Sequence, residues 1–244
     1  GVVAAALAVL LCLPMVPSSP ALSGDWPQWG GRPVRNMVSD EKGLPGSFDP
    51  PEKKADGQMP EMAQAASLVR SLRLGSETYG SPVIAGGRVF VGTNNGAPRN
   101  PRNDGDWGAL FCFEEGTGKF LWQLMVSKLR DEGTFNGDFP GLGICSSPTV
   151  EGDRLYVVTS RCEVLCLDVQ GLSNGNDGAF QDEGEYVAVR VRRKPGKHPG
   201  VKPEESAEGP KPPIPDPTDA DIIWRYDMIA ELDVWPQDAT DCSV

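Results

Sequence analysis

Ser81-Pro82-Val83-Ile84-Ala85-Gly86-Gly87-Arg88-Val89-Phe90-Val91-Gly92-Thr93 and Ser147-Pro148-Thr149-Val150-Glu151-Gly152-Asp153-Arg154-Leu155-Tyr156-Val157-Val158-Thr159 are two copies of one pattern. Each reads as a short strand, a two-residue turn and a longer strand. Gly86-Gly87 and Gly152-Asp153 suit a tight hairpin, whose primed turn needs positive φ. β-branched and aromatic residues fill the second strand of each copy. A third apolar strand follows in both, at residues 109–114 and 163–168. A fourth follows that carries a Trp, at residues 119–123 and 221–225. Four strands joined up and down, repeated along the chain, predict an all-β fold of propeller type built from four-stranded antiparallel blades. A single such sheet cannot bury both its faces, and stacking sheets in a ring removes that problem. About two blades are present, so the predicted ring is incomplete.

The repeat interval, Pro82 to Pro148, exceeds the ~40–50 residues of a plain blade. The excess lies in loops, at residues 94–107 and above all at 172–220. Compact domains rarely hold a structureless loop beyond about 12–15 residues, so this insertion is either functional or disordered. Residues 194–217, rich in Pro, Lys and Glu, are expected to be extended, solvated and disordered. Residues 185–193 alternate apolar and basic side chains and read as a short edge strand. Short helices are expected after each Trp strand, at 127–132 and at 228–234, the second capped by Asp227. The predicted organisation is then a signal peptide truncated at its start (1–23), an irregular segment (24–66) and a lone strand able to complete a ring (67–74). A first blade (75–132), a second blade with its insertion (133–227) and the start of a link to a third (228–244) follow. The chain is accordingly expected to be the N-terminal part of a longer protein.

Composition narrows the function. A formal charge of −11 argues against nucleic acid and against docking on anionic lipid. Acidic loops that keep an exported protein soluble account for it. Residues 1–13 carry no charge, and Pro14, Pro17 and Pro20 with Ala21-Leu22-Ser23 follow, as in the apolar region and cleavage site of a secretory signal. That run is too short to span a membrane, and no transmembrane segment is expected in the mature chain. Export implies a periplasmic, cell-envelope or extracellular location, where disulfides persist. Cys112, Cys145, Cys162, Cys166 and Cys242 would remain after cleavage, an odd number. Without a Cys-x-x-Cys, and with His198 as the single His, a structural zinc site is not expected. The same lone His leaves no nucleophile–base pairing to assemble, and the Gly-rich stretches sit at hairpins rather than in a phosphate loop.

Cys112-Phe113-Glu114-Glu115-Gly116-Thr117-Gly118-Lys119-Phe120-Leu121-Trp122 resembles the repeat of pyrroloquinoline-quinone (PQQ) type propellers, Ala-x-Asp-x-x-Thr-Gly-x-x-x-Trp. Thr117, Gly118 and Trp122 match, while Glu114 stands for Asp and Cys112 for Ala. In the second unit Cys166-Leu167-Asp168 matches the start and Trp224 resumes the pattern after the insertion. Asp25-Trp26-Pro27-Gln28-Trp29-Gly30-Gly31 is similar to the opening of exported bacterial proteins with these repeats. The resemblance implies structural roles for Thr117, Gly118, Trp122, Asp168 and Trp224, with both Trp buried. It implies a scaffold or protein-interaction module of the cell envelope, like the propeller of outer-membrane protein assembly, with protein partners. The alternative it implies is a quinoprotein dehydrogenase of alcohols or sugars, with PQQ and calcium at the ring centre. A sensor or carbohydrate-binding propeller is the second alternative. Catalytic and cofactor-binding residues stay unassigned. Dehydrogenases of this kind carry an adjacent Cys pair that this chain lacks. Asn103, Asp104 and Asp106 offer calcium-type oxygens, although such clusters are ordinary turn chemistry. The stretch Asn174 to Asp177, with Asp182, Glu183 and Glu185, is a second such cluster. Cys112 and Cys166 are expected to be buried and inert. Cys162 is expected in a more accessible turn, with Cys145 as its disulfide partner and Cys242 as the rival.

Overall fold

The computed structural model describes residues 24–43, 46–47, 71–103, 105–130, 141–188, 191–193, 215–234, 236 and 240–244. Strands β1 (Val83–Ala85), β2 (Arg88–Asn94), β3 (Gly108–Glu114) and β4 (Phe120–Val126) form one antiparallel sheet in that order. A short strand β5 (Lys128–Arg130) follows. The second sheet holds β6 (Thr149–Glu151), β7 (Arg154–Thr159), β8 (Glu163–Asp168) and, after the insertion, β10 (Ile222–Asp227), all antiparallel. Within the insertion lie a 3-10 turn (Gly171–Asn174), helix α1 (Glu183–Ala188) and strand β9 (Val191–Arg193), which pairs in parallel with β5. Helix α2 (Met228–Leu232) follows β10. The fold is therefore mostly β, two four-stranded antiparallel sheets with few helices and no closed sheet among the described residues.

The two sheets repeat each other in register. Cys112 on β3 faces both Phe90 and Trp122, and Cys166 on β8 faces both Tyr156 and Trp224. In both sheets one residue slips out of register just before the Trp, Leu121 in the first and Ile223 in the second. Such a bulge turns the strand and re-aims the side chain that follows. The Phe90–Trp122 rings lie 5.9 Å apart at 47°, and the Tyr156–Trp224 rings 6.1 Å apart at 46°. Each sheet thus carries an aromatic–Cys–Trp stripe across three strands. The hairpin turns fall where the glycines require, with φ of +56 at Gly86, +73 at Gly87 and +61 at Gly152. In the Thr-Gly turn between β3 and β4, Gly118 takes φ +72, and its amide donates to the Glu114 carbonyl at 2.8 Å.

The stripes show how the sheets stack. Phe90, Cys112 and Trp122 share one core with Leu155, Val157, Leu165, Leu167 and Ile222 of the second sheet. Side chains alternate along a strand, so Cys166 and Trp224, out of step with Leu165 and Leu167, face away from the first sheet. The far face of the first sheet, Val91, Phe111, Phe113 and Met125, packs on Trp107, Leu72 and Leu74. The Trp face of one sheet therefore meets the aliphatic face of the next, head to tail. Trp122 Nε1 crosses the seam to donate to the Val169 carbonyl at 3.0 Å. Gly171 lies against that indole, where a side chain would collide. Along the inner edges, the Trp26 amide donates to the Ile84 carbonyl at 2.7 Å and the Val150 amide to the Pro27 carbonyl at 2.7 Å, so one N-terminal segment bridges both sheets.

Several expectations need correction. Trp122 is buried, but Trp224 is 41% exposed because its face carries no further sheet among the described residues. Residues 128–130 form a strand, not the helix expected over 127–132, because β9 supplies a pairing partner. Among the described residues of the edge strand expected over 185–193, Val191–Arg193 is extended and residues 185–188 are helical. Leu72 and Leu74 pack on the first sheet as loop rather than strand. Helix α2 does start at Asp227, whose Oδ1 accepts from the Ile229 and Ala230 amides at 3.0 Å. Residues 1–23 and 194–214 lie outside the described residues.

Two substitutions separate the stripes. Trp122→Ala should destabilise the chain by about 3–5 kcal/mol, as for a large core side chain. Trp224→Ala should cost roughly half of that or less, since the burial term scales with the area removed from water. Urea unfolding followed by far-UV circular dichroism measures both.

Candidate functional site

Charge is buried at one end of the two sheets, where β2, β4, β7 and β10 finish. Arg161 and Glu163, on either side of the β7–β8 turn, are both 0% exposed. Glu163 Oε1 lies 3.4 Å from Arg161 Nη2 and 3.3 Å from Arg225 Nη1. Its Oε2 accepts the Tyr186 hydroxyl at 2.9 Å. Arg161 Nη1 donates to the Tyr186 carbonyl at 3.2 Å, and its guanidinium lies 4.6 Å from the centre of the Tyr186 ring. Tyr186 belongs to α1, so one carboxylate ties the insertion to the second sheet. Burial, and then the Glu163 charge, push the Tyr186 phenol well above its usual pKa. With its oxygens taken by donors, Glu163 fits an internal clamp rather than a base open to a substrate.

The turn itself explains part of this arrangement. Cys162 adopts φ +58 between the two charged residues, which lets the chain reverse. The Met228 amide closes on the Cys162 carbonyl at 3.2 Å. Leu129 and Ile229 cover the Cys162 side chain, so it is buried and not accessible as expected. Cys145 is buried as well, and its Sγ donates to the Gly143 carbonyl at 3.6 Å. The structure records no bridge between Cys145 and Cys162, although one is expected from the sequence. Cys112 and Cys166 are buried, and burial pushes the Cys112 thiol up to about 12. A thiol with so little thiolate at neutral pH is a packing group and not a nucleophile.

Of the first calcium candidate, Asn103 and Asp106 are described. Asp104 lies outside the described residues. Asn103 is buried, with its carbonyl accepting from the Asn95 side-chain amide. The Asp106 carboxylate accepts the Gly141 amide at 3.3 Å and lies 3.5 Å from the buried Lys128 ammonium. An internal cation already answers its charge, as turn chemistry would have it. Nearby, Arg102, Gln123, Glu183, Tyr186 and Asp219 line a cleft. Burial pushes the Glu183 carboxyl up, against the Ile222 amide and Asn176 side chain that donate to it. Burial likewise raises Asp219.

The residues carried over from the repeat pattern hold structure together. Thr117 Oγ1 hydrogen-bonds the Glu114 carboxylate and accepts the Lys119 amide at 3.1 Å. Asp168, the counterpart of Glu114, accepts Arg154 Nη1 at 3.0 Å and the Gln170 amide at 2.7 Å. Sequence reasoning missed Arg161, Glu163, Tyr186 and Arg225. The only local signal was a pair of opposite charges astride Cys162, in a turn between two apolar strands. No protein-family model matches the chain, and no curated protein is significantly similar to it.

Breaking the clamp has a defined outcome. Glu163→Gln leaves two guanidinium groups facing a neutral amide and should destabilise by about 3–5 kcal/mol in urea unfolding. Tyr186 adds a pH term. Its folded pKa is raised, so its contribution is complete below the unfolded value of about 10 and is lost as pH climbs from there toward the folded value. The urea midpoint should therefore fall above about pH 10, and less steeply in Tyr186→Phe, which has no phenol to titrate.

Proposed function

We propose that this chain is part of a PQQ-like repeat propeller that serves as a scaffold or protein-interaction module of the cell envelope. The observation that carries the reading is the second stripe. Tyr156, Cys166 and Trp224 repeat the register of Phe90, Cys112 and Trp122, yet Trp224 stays 41% exposed. The first stripe is covered by an aliphatic sheet face, so the second has the shape and chemistry to take another sheet of the same kind. Stacking in one sense, with a bulge before each Trp, is what a ring of blades requires. Export to the cell envelope belongs to the same proposal and rests on the apolar start of the chain and the secretory pattern at Ala21-Leu22-Ser23. Among the described residues no helix is long and apolar enough to cross a membrane.

A scaffold is favoured over an oxidoreductase by what the buried charges do. Glu163, Arg161 and Arg225 are spent on each other and on Tyr186, and Asp106 on Lys128. The deciding measurement adds PQQ and calcium chloride to the full-length protein and follows dye-linked oxidation of primary alcohols and aldoses. No turnover above the protein-free control is expected. Robust turnover would overturn the scaffold reading in favour of the dehydrogenase.

A further inference from the structure

We propose that Asp168, Asp177 and Asp221 form a divalent-cation site of calcium type, at the end of the second sheet opposite the buried Arg161–Glu163 cluster. Carboxylate oxygens of the three converge within 4.8 Å of one another. They come from three elements. Asp168 ends β8, Asp221 stands immediately before β10, and Asp177 lies in the insertion between them. The pairing of β8 with β10 sets Asp168 beside Asp221, since the Asp168 amide donates to the Asp221 carbonyl at 3.1 Å. The Asp177 amide then donates to Asp221 Oδ2 at 3.1 Å, which brings the third carboxylate in.

A second observation is independent of this proximity. Asp221 is 0% exposed, and among the described residues its Oδ1 meets no hydrogen-bond donor. A buried carboxylate oxygen left without a partner is expensive, and native structures resolve it with a donor, a water or an ion. Oδ2 already has its amide, which leaves Oδ1 as the oxygen this carboxylate can offer an ion. The charge count points the same way. Arg154 Nη1 is the cation at hand, 3.0 Å from Asp168 Oδ2 and itself part-exposed. That guanidinium also pairs with Asp153 at 3.3 Å, so the three carboxylates keep an excess of negative charge that a divalent ion would offset. Burial first, and then the charges of Asp168 and Asp177, push the Asp221 carboxyl above its usual range, against the opposing Asp177 amide and Arg154.

The donors are all oxygen and include one exposed side chain, Asp177, through which water can complete the shell. Calcium accepts six to eight oxygens in loose geometry, whereas magnesium demands a tight octahedron. Bound there, the ion would pin the start of the insertion to the second sheet, at the point where the repeat's Thr-Gly turn has been replaced.

Thermal unfolding of the whole chain, titrated with calcium chloride at constant ionic strength, tests the site. The melting temperature should rise saturably, with a midpoint in the range of about 0.1–1 mM, as in extracellular calcium modules. At 10 mM the rise should be about 3–10 °C. Asp177→Asn, whose side chain is exposed and whose backbone amide still holds Asp221, should fold and lose the saturable rise. Asp221→Asn should lose it too, while Asp106→Asn, at the other end of the sheets, should keep it. A flat titration overturns the proposal. So does a rise that sodium chloride reproduces, or one that persists undiminished in Asp177→Asn.

Discussion

Everything in this fold leans on the seam between the two sheets, and the indole of Trp122 is its keystone. Deep in the shared core, the ring packs on Phe90 along its own sheet and reaches across to the Val169 carbonyl. A Trp can do both because it pairs a large apolar body with a single polar N–H that must find an acceptor when buried. The acceptor exists only because Gly171, with φ +59, lets the chain after β8 turn tightly over the indole. The first sheet is covered on both faces, whereas among the described residues the Trp224 face of the second is only partly covered.

The buried charges make a different kind of contribution. A desolvated cluster such as Arg161, Glu163 and Tyr186 adds little net stability compared with apolar packing, but it tolerates few alternative arrangements. Here it fixes where the insertion docks. Helix α1 carries Tyr186 onto Glu163, β9 pairs with β5, and the Ala220 amide donates to the Gln123 carbonyl at 2.9 Å as the chain returns to β10. The insertion is thus stitched to both sheets before and after its Pro-rich part. Its described residues are wedged into the structure they interrupt.

How legible this was follows from the range of each interaction. Hairpins, the Thr-Gly turn and the α2 cap are decided by residues a few positions apart, so Gly86-Gly87, Thr117-Gly118 and Asp227 announced them. The aromatic–Cys–Trp stripe was legible because the repeat wrote it twice. Residues 128–130 were not, since their strand state comes from Val191–Arg193, distant in sequence. The same holds for the charge cluster, which needs Tyr186 from inside the insertion to meet Glu163. Trp224 was misjudged for a related reason. The pattern tells which face a side chain takes, and not whether anything lies on that face.

The head-to-tail sense of the stacking has a symmetry consequence. The Trp face and the aliphatic face are different surfaces, so their contact is heterologous, and two such units cannot satisfy each other by a two-fold rotation. An interface of this class either closes on itself after a fixed number of steps or continues as an open filament. Which of the two occurs depends on the small rotation between successive sheets and on whether the last exposed face meets the first. In a stack of this class the angle set at the seam matters as much as the seam's strength. A substitution that tilts one sheet by a few degrees could leave each pair of sheets intact and still prevent closure.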